Sequence, residues 1–270
     1  MGSGIAQVFA ANGYDVVMYD ISGSMLDKAA FRINEELDKL VAKNKITGEQ
    51  RSAILAHLSF SNTLQECKAK LVIEAVVEDA GVKVKLLNEL LQVNDSDTIV
   101  VTNTSSLSVT QLAEHISAPD RFAGMHFFNP ATLMKLVEII TTPFVSPAVI
   151  GFLREVAVSV GKSPVVCKDA PGFIVNRVAR SYYLESLFLL ENQYGDVETI
   201  DRLLESTGFR MGPFRLMDLI GNDVNYSVST IVYEALNKPE RLKPSVIQLQ
   251  KVENGLLGKK TGKGFYEYPG

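Results

Sequence analysis

This 270-residue chain is short of cysteine, of histidine and of positive charge, and it has no long apolar run. Cys67 and Cys167 stand a hundred positions apart. That makes neither a disulfide framework nor a metal-ligand spacing, and it suits two small core residues in a reducing compartment. No stretch reaches the roughly 20 apolar residues of a membrane span. No basic cluster precedes an apolar run at the N-terminus, as a secretory signal requires. Position six is Ala6, where myristoylation needs Ser or Thr. With 27 Lys and Arg against 31 Asp and Glu, the net charge is −4, which argues against nucleic acid as a partner. The expectation is a cytoplasmic protein with no membrane or nucleic-acid partner. What the chain does have is apolar mass. Its hydrophobic content of 46% against 21% charged residues supplies a core for one large or two ordinary domains.

The opening MGSGIAQVFAANGYDVVMYD reads as a helix from Gly2, a stop at Gly13, a buried strand over 15–19 and an acid at Asp20. In a doubly wound dinucleotide-binding unit that order lies downstream of the first strand and its G-x-G-x-x-G turn. Gly2 takes the place of the third glycine, and Asp20 that of the acid reaching the ribose. The first strand and the first two glycines are not in the sequence.

Further along, Met25, Ala29, Ile33, Leu37, Leu40 and Val41 recur at helical spacing, and a short helix is expected over 49–57. Buried strands at 71–76 and 98–102 alternate with helices at 82–93 and 109–116, the pattern of a parallel sheet covered on both faces. Two further strands, 122–128 and 135–140, are joined by NPATLM, too short for a crossover helix, so they should pair antiparallel. A helix over 146–160 and a strand at 165–166 follow. Beyond Asp169-Ala170-Pro171-Gly172 the pattern is helical throughout. The expected fold is α/β, a Rossmann-type doubly wound sheet lacking its first strand, followed by an all-α domain. The domains are placed at 1–168 and 169–270.

Of three histidines, His57 and His115 sit in polar helix ends, where solvation accounts for them. His126, in GMHFFNPA, ends an apolar strand. A register centred near Thr132 sets it opposite Glu138, an acid inside the apolar run KLVEII. A buried carboxylate must be paired, and one facing a histidine fixes its tautomer. In TNTSSL, Asn103, Ser105 and Ser106 follow a parallel strand and so reach the carboxyl edge of the sheet, where ligands bind in such folds; a helix cap explains them equally well. Asn176, in PGFIVNR, is a poor helix-interior residue and calls for a hydrogen bond.

Taken in order, GSGIAQVFAANGYDVVMYD, VIEAVVED, TNTSSLS, GMHFFNPATLMKLVEII, PGFIVNR, MGPFRLMDLIG and GKKTGKGFYEY resemble the L-3-hydroxyacyl-CoA dehydrogenases over essentially the whole chain, most of all the bacterial 3-hydroxybutyryl-CoA enzymes. The resemblance implies an NAD-dependent oxidoreductase acting at C3 of an acyl-CoA, and a homodimer. It makes His126 the base, Glu138 its orienting partner, Ser105 and Asn176 donors to the substrate oxygens, and Asn129 a supporting residue. Gly2, Asp20, Glu78, Lys83, Asn103, Ser105 and Lys260 correspond to cofactor positions. Lys43 matches a coenzyme A contact, while Glu36 departs from a family serine. No arginine follows Asp20, which favours NAD over NADP. The resemblance also implies a natural start roughly a dozen residues earlier, with a strand and G-x-G. A dehydrogenase of free hydroxy acids and a catalytically silent homologue are the competing readings.

Overall fold

The computed structural model describes residues 1–268, which fall into two compact units, one over 1–169 and the other over the described residues from 170 onward. The first unit begins with helix α1 (Gly2–Ala11), then strand β1 (Val16–Tyr19), helices α2 (Gly23–Ala42) and α3 (Gly48–Ala56), and strand β2 (Leu58–Ser61). Next come β3 (Leu71–Glu74), α4 (Ala80–Val93), β4 (Ile99–Thr102), α5 (Val109–Ala113), β5 (Phe122–Phe127), β6 (Leu136–Thr141), α6 (Pro147–Ser159) and β7 (Ser163–Lys168).

The strands form two sheets. β1 pairs with β2 in parallel, and the other five run in the order β3-β4-β5-β6-β7. Every pair in the larger sheet is parallel except β5–β6. Among the described residues no strand lies between β1 and β3. That explains a difference from the expected burial. β4 is buried throughout, with partners on both sides, whereas β1 and β3 each have one partner and are only half covered.

β2 was not expected. Its four residues, LSFS, are too short to show periodicity and follow directly on a helix. In α2 the buried stripe is Leu26, Ile33 and Leu37, so Met25 lies on the exposed side of the expected face. Helix α4 starts earlier than its apolar residues suggest, because the Asp79 side chain accepts from the Val82 amide and caps it.

The core of the first unit joins Ile5, Val8 and Phe9 of α1 to Val101, Met125, Val137, Ile139 and Leu153. Gly124 is a packing requirement: a Cβ there would lie 2.8 Å from that of Ile140. The two strands can therefore close on one another only without a side chain at that point.

The second unit is helical: α7 (Val175–Glu191), α8 (Val197–Ser206), α9 (Pro213–Ile220), α10 (Asn222–Ala235) and α11 (Val246–Glu253). Tyr183, Leu184, Leu187, Phe214, Met217 and Val232 form its core. Among the described residues no helix is long and apolar enough to cross a membrane.

Candidate active site

The β5–β6 hairpin places His126 opposite Glu138 and Phe127 opposite Val137. His126 Nδ1 lies 2.9 Å from Glu138 Oε2, and the two residues are 6% and 1% exposed. An ionised carboxylate can only accept, so the proton of this contact sits on Nδ1, and a neutral ring then carries its lone pair on Nε2. The Phe128 ring, 4.5 Å from the imidazole centroid to centroid, restricts its tilt. On the neighbouring β7, the Cys167 thiol is pushed up to about 11, first by burial and then by the charges of Glu138 and Asp169, so it stays neutral. Cys67 and Cys167 are both free thiols, and the described residues contain no cluster that could hold a metal.

The carboxyl ends of β3 and β4 are joined by a charge network that is buried at Lys83 and Glu74 and exposed at Glu78. Lys83, 1% exposed, extends from the first turn of α4 to Glu74 Oε1 at 2.8 Å and Glu78 Oε2 at 3.2 Å. Glu74 also accepts from Thr102 Oγ1 at 2.6 Å and from the Val76 amide. Glu78 Oε1 gathers the TNTSS loop: it accepts from Thr104 Oγ1, the Ser105 amide, and both the amide and the hydroxyl of Ser106. Burial opposes ionisation of Glu78, but the Thr104 and Ser106 hydrogen bonds and the Lys83 ammonium outweigh it and hold its carboxyl below the ordinary range. Asn103 ties the same loop to β5, its Oδ1 accepting from the Phe127 amide at 2.8 Å. Ser105 Oγ has no hydrogen-bond partner among the described residues. The helix cap weighed for this loop is supplied by Ser108, whose side chain accepts from Gln111 at the start of α5.

Sequence reasoning attached Glu78 and Lys83 to the cofactor. The structure places Lys83 inside the unit, holding two carboxylates together. Glu74 went unnoticed, although an acid closing the apolar strand LVIE is the same kind of signal that singled out Glu138.

α1 sets its first turn beside this edge: a Cβ on Gly2 would lie 3.9 Å from that of Ala75, which follows β3. No side chain caps these first amides. A cleft there is lined by Ser3, Gly4, Gln7, Arg32, Glu36 and Thr132. Gln7 is 4% exposed, and its Oε1 has no partner. Asp20 directly follows β1, with its Oδ1 accepting from the Ser22 amide at 2.9 Å. Uncapped amides at a helix start suit a pyrophosphate and a carboxylate at a strand end suits a ribose, so these residues fit a dinucleotide. Asn129 is exposed in the hairpin loop, and Lys43 is exposed at the end of α2.

In the second unit Asn176 is the second residue of α7. Its carbonyl accepts from Arg180, but its side chain makes no hydrogen bond among the described residues, contrary to the expectation of one. Lys260 Nζ is 2.6 Å from the Asp223 carboxylate. Asp218, 1% exposed, holds the C-terminal segment by accepting from the Phe265 and Tyr266 amides and the Tyr268 hydroxyl. The glycines of GKKTGKG follow from this. Gly258 has φ +95° and, like Gly264, lies where any Cβ would overlap Asp218.

Residues 1–170 match the profile of the 3-hydroxyacyl-CoA dehydrogenase NAD binding domain, and residues 172–268 that of the C-terminal domain of the same family. The chain is 44% identical to the 3-hydroxyadipyl-CoA dehydrogenase of Escherichia coli K12 over 99% of its own length. It spans only 57% of that relative. It is 39% identical to the mitochondrial hydroxyacyl-coenzyme A dehydrogenase of Sus scrofa, covering 99% of this chain and 88% of the relative. The crystal structure of (S)-3-hydroxybutyryl-CoA dehydrogenase from Ralstonia eutropha superposes with a TM-score of 0.94 at 35% identity, covering 100% of this chain and 96% of that one. With both of its units matched in order, the chain belongs to the 3-hydroxyacyl-CoA dehydrogenase family.

Proposed function

We propose that this chain oxidises the 3-hydroxyl of a short-chain L-3-hydroxyacyl-CoA, and reduces the ketone in reverse, with His126 as general base. The observation carrying this reading is the buried His126–Glu138 contact at the edge of a family NAD-binding unit. Bound NAD supplies the acceptor for the hydride leaving C3. His126 Nε2 takes the hydroxyl proton, and the Glu138 carboxylate, already on Nδ1, stabilises the imidazolium that results. Ser105 Oγ and the Asn176 amide donate to the substrate oxygen, a positioned-donor role open to side chains with no other partner. Asn129 supports the hairpin loop from outside the reacting groups.

Gly2 and the first amides of α1 take the pyrophosphate, and Asp20 the adenosine ribose. Asn103 and Lys260 are assigned to the cofactor, and Lys43 to coenzyme A. Glu78 and Lys83 act on the cofactor side by holding the Ser105 loop. We further propose a cytoplasmic homodimer. Exposed Phe188, Leu203, Leu219 and Ile220 on the helical unit support self-association.

The test is reduction of acetoacetyl-CoA by NADH and by NADPH. The Asp20 carboxylate accepts from a ribose 2′-hydroxyl and repels a 2′-phosphate, so NADPH should support far slower turnover than NADH. Equal rates would remove Asp20 from the ribose site. No turnover with any 3-ketoacyl-CoA would overturn the assignment of the reaction.

A further inference from the structure

Lys162 is buried in the turn between α6 and β7. Its backbone is fixed from both sides. Gly161 takes φ +71°, and the Lys162 amide donates to the Ala157 carbonyl at 2.9 Å, which closes α6. The Ser163 amide then donates to the Lys135 carbonyl at 2.8 Å, where β7 begins to pair with β6. From this anchored position the side chain meets the loop that joins β5 to β6. Its Nζ donates to the Met134 carbonyl at 2.8 Å and also to the Ala131 carbonyl. Among the described residues no carboxylate forms an ion pair with it, and burial pushes the ammonium below the usual lysine range. A buried ammonium without a counter-charge is costly, and here two backbone carbonyls are what it meets.

Those carbonyls belong to one wall of the cleft beside α1, where Pro130, Ala131 and Thr132 line it together with Ser3, Gly4 and Gln7. Ala131 serves both sides. Its carbonyl is held by Lys162, while its Cβ would lie 3.4 Å from one built on Gly4 in the first turn of α1. The catalytic pair depends on other contacts: the β5–β6 ladder, from Gly124 opposite Ile140 to Phe127 opposite Val137, sets His126 across from Glu138. The loop lies outside that ladder. Within it, the Leu133 and Met134 amides both turn back to the Pro130 carbonyl. Removing the ammonium therefore frees the cleft wall and leaves the pair in register.

We propose that Lys162 is a positioning residue for the dinucleotide: by holding the Ala131 and Met134 carbonyls it keeps the hairpin loop against the first turn of α1 and so preforms the cleft at the amides that take the pyrophosphate. This rests on the reading of α1 as the helix that meets the cofactor.

The decisive measurement sets the NADH dissociation constant, from fluorescence titration, beside kcat at saturating NADH and acetoacetyl-CoA. Lys162→Met keeps the aliphatic stem and removes the donors. A freed loop has to be ordered again when the cofactor binds, and that cost is taken from the affinity. Hydrogen bonds from a charged donor correspond to about ten- to a hundredfold in an equilibrium constant, so the dissociation constant should rise about tenfold or more. At saturation kcat should stay close to that of the wild type. Lys162→Arg, which keeps a charged donor for the two carbonyls, should recover most of the affinity, and the neutral amide of Lys162→Gln should recover less. If Lys162→Met does not fold, the order wild type, Arg, Gln carries the same test. An NADH affinity equal to wild type in Lys162→Met, or in both of the other variants, overturns the proposal. So does a fall in kcat at unchanged affinity, the result expected of a lysine that only stabilises the fold. A wild type that binds no NADH would instead be a failure of the reading of α1.

Discussion

His126→Gln is expected to lower kcat by several orders of magnitude with little change in NADH affinity. Glutamine is close to histidine in size, and its amide can still donate to Glu138, so the 2.9 Å contact that orients the side chain has a substitute. What glutamine lacks is a basic nitrogen. The hydroxyl proton then has to leave for water from a site whose histidine is only 6% exposed. General acid–base catalysis typically contributes about 10²–10⁴-fold, and the loss should fall in or near that range. Glu138→Gln is expected to be milder, because it weakens the hold on the ring and leaves the base in place. Steady-state rates with acetoacetyl-CoA, together with NADH titration by fluorescence, separate the two effects. A His126→Gln enzyme turning over within tenfold of wild type would require another base. A matching collapse of NADH binding would mean that the substitution had disturbed the fold rather than the chemistry.

The hairpin that carries this prediction was legible in the sequence because two independent constraints met there. NPATLM is too short for any connection but an antiparallel one, and its midpoint near Thr132 set the register that the strands adopt. An acid and a histidine, each odd in its own apolar run, then fell opposite one another. The charge network at the ends of β3 and β4 was legible only in part. Glu74 is an acid on an apolar strand as Glu138 is, and the resemblance set Glu78 and Lys83 at the cofactor, but the three are spread over a strand end, a loop and the first turn of a helix, and no spacing links them. Only the tertiary structure shows that α4 turns Lys83 inward between the two glutamates. Asp218, by contrast, sits in the apolar run LMDLI, and the reasoning applied to Glu138 would have found it. What no periodicity could show is which segment it holds, because its partners Phe265 and Tyr266 lie nearly fifty residues away.

Lys83→Met should lower the melting temperature by roughly 10 °C at neutral pH. The substitution preserves most of the aliphatic stem, so packing changes little, but it removes the only ammonium between Glu74 and Glu78 among the described residues. Breaking a buried ion pair by deleting one partner costs about 3–5 kcal/mol, because the remaining charge stays desolvated. At roughly 2–4 °C per kcal/mol for domains of 150–250 residues, that loss gives the expected shift. The pH dependence separates charge from packing. Glu78 is held below its ordinary value of 4.5, so its stabilisation is present above that value and is lost as pH falls through the lower folded one. Without Lys83 that carboxyl is held down less, and protonation relieves the unpaired charge at a higher pH than in the wild type. The gap in melting temperature between the two proteins should therefore hold from pH 7.5 to pH 5 and narrow only below the ordinary Glu78 value of 4.5, whereas a packing defect would leave it constant throughout. Activity should fall as well, through the Ser105 loop that Glu78 holds by four hydrogen bonds. Lys83→Arg, which keeps the charge, should recover part of both losses. If Lys83→Met melts within 2 °C of the wild type across that pH range, the ammonium is not what binds the two strand ends together.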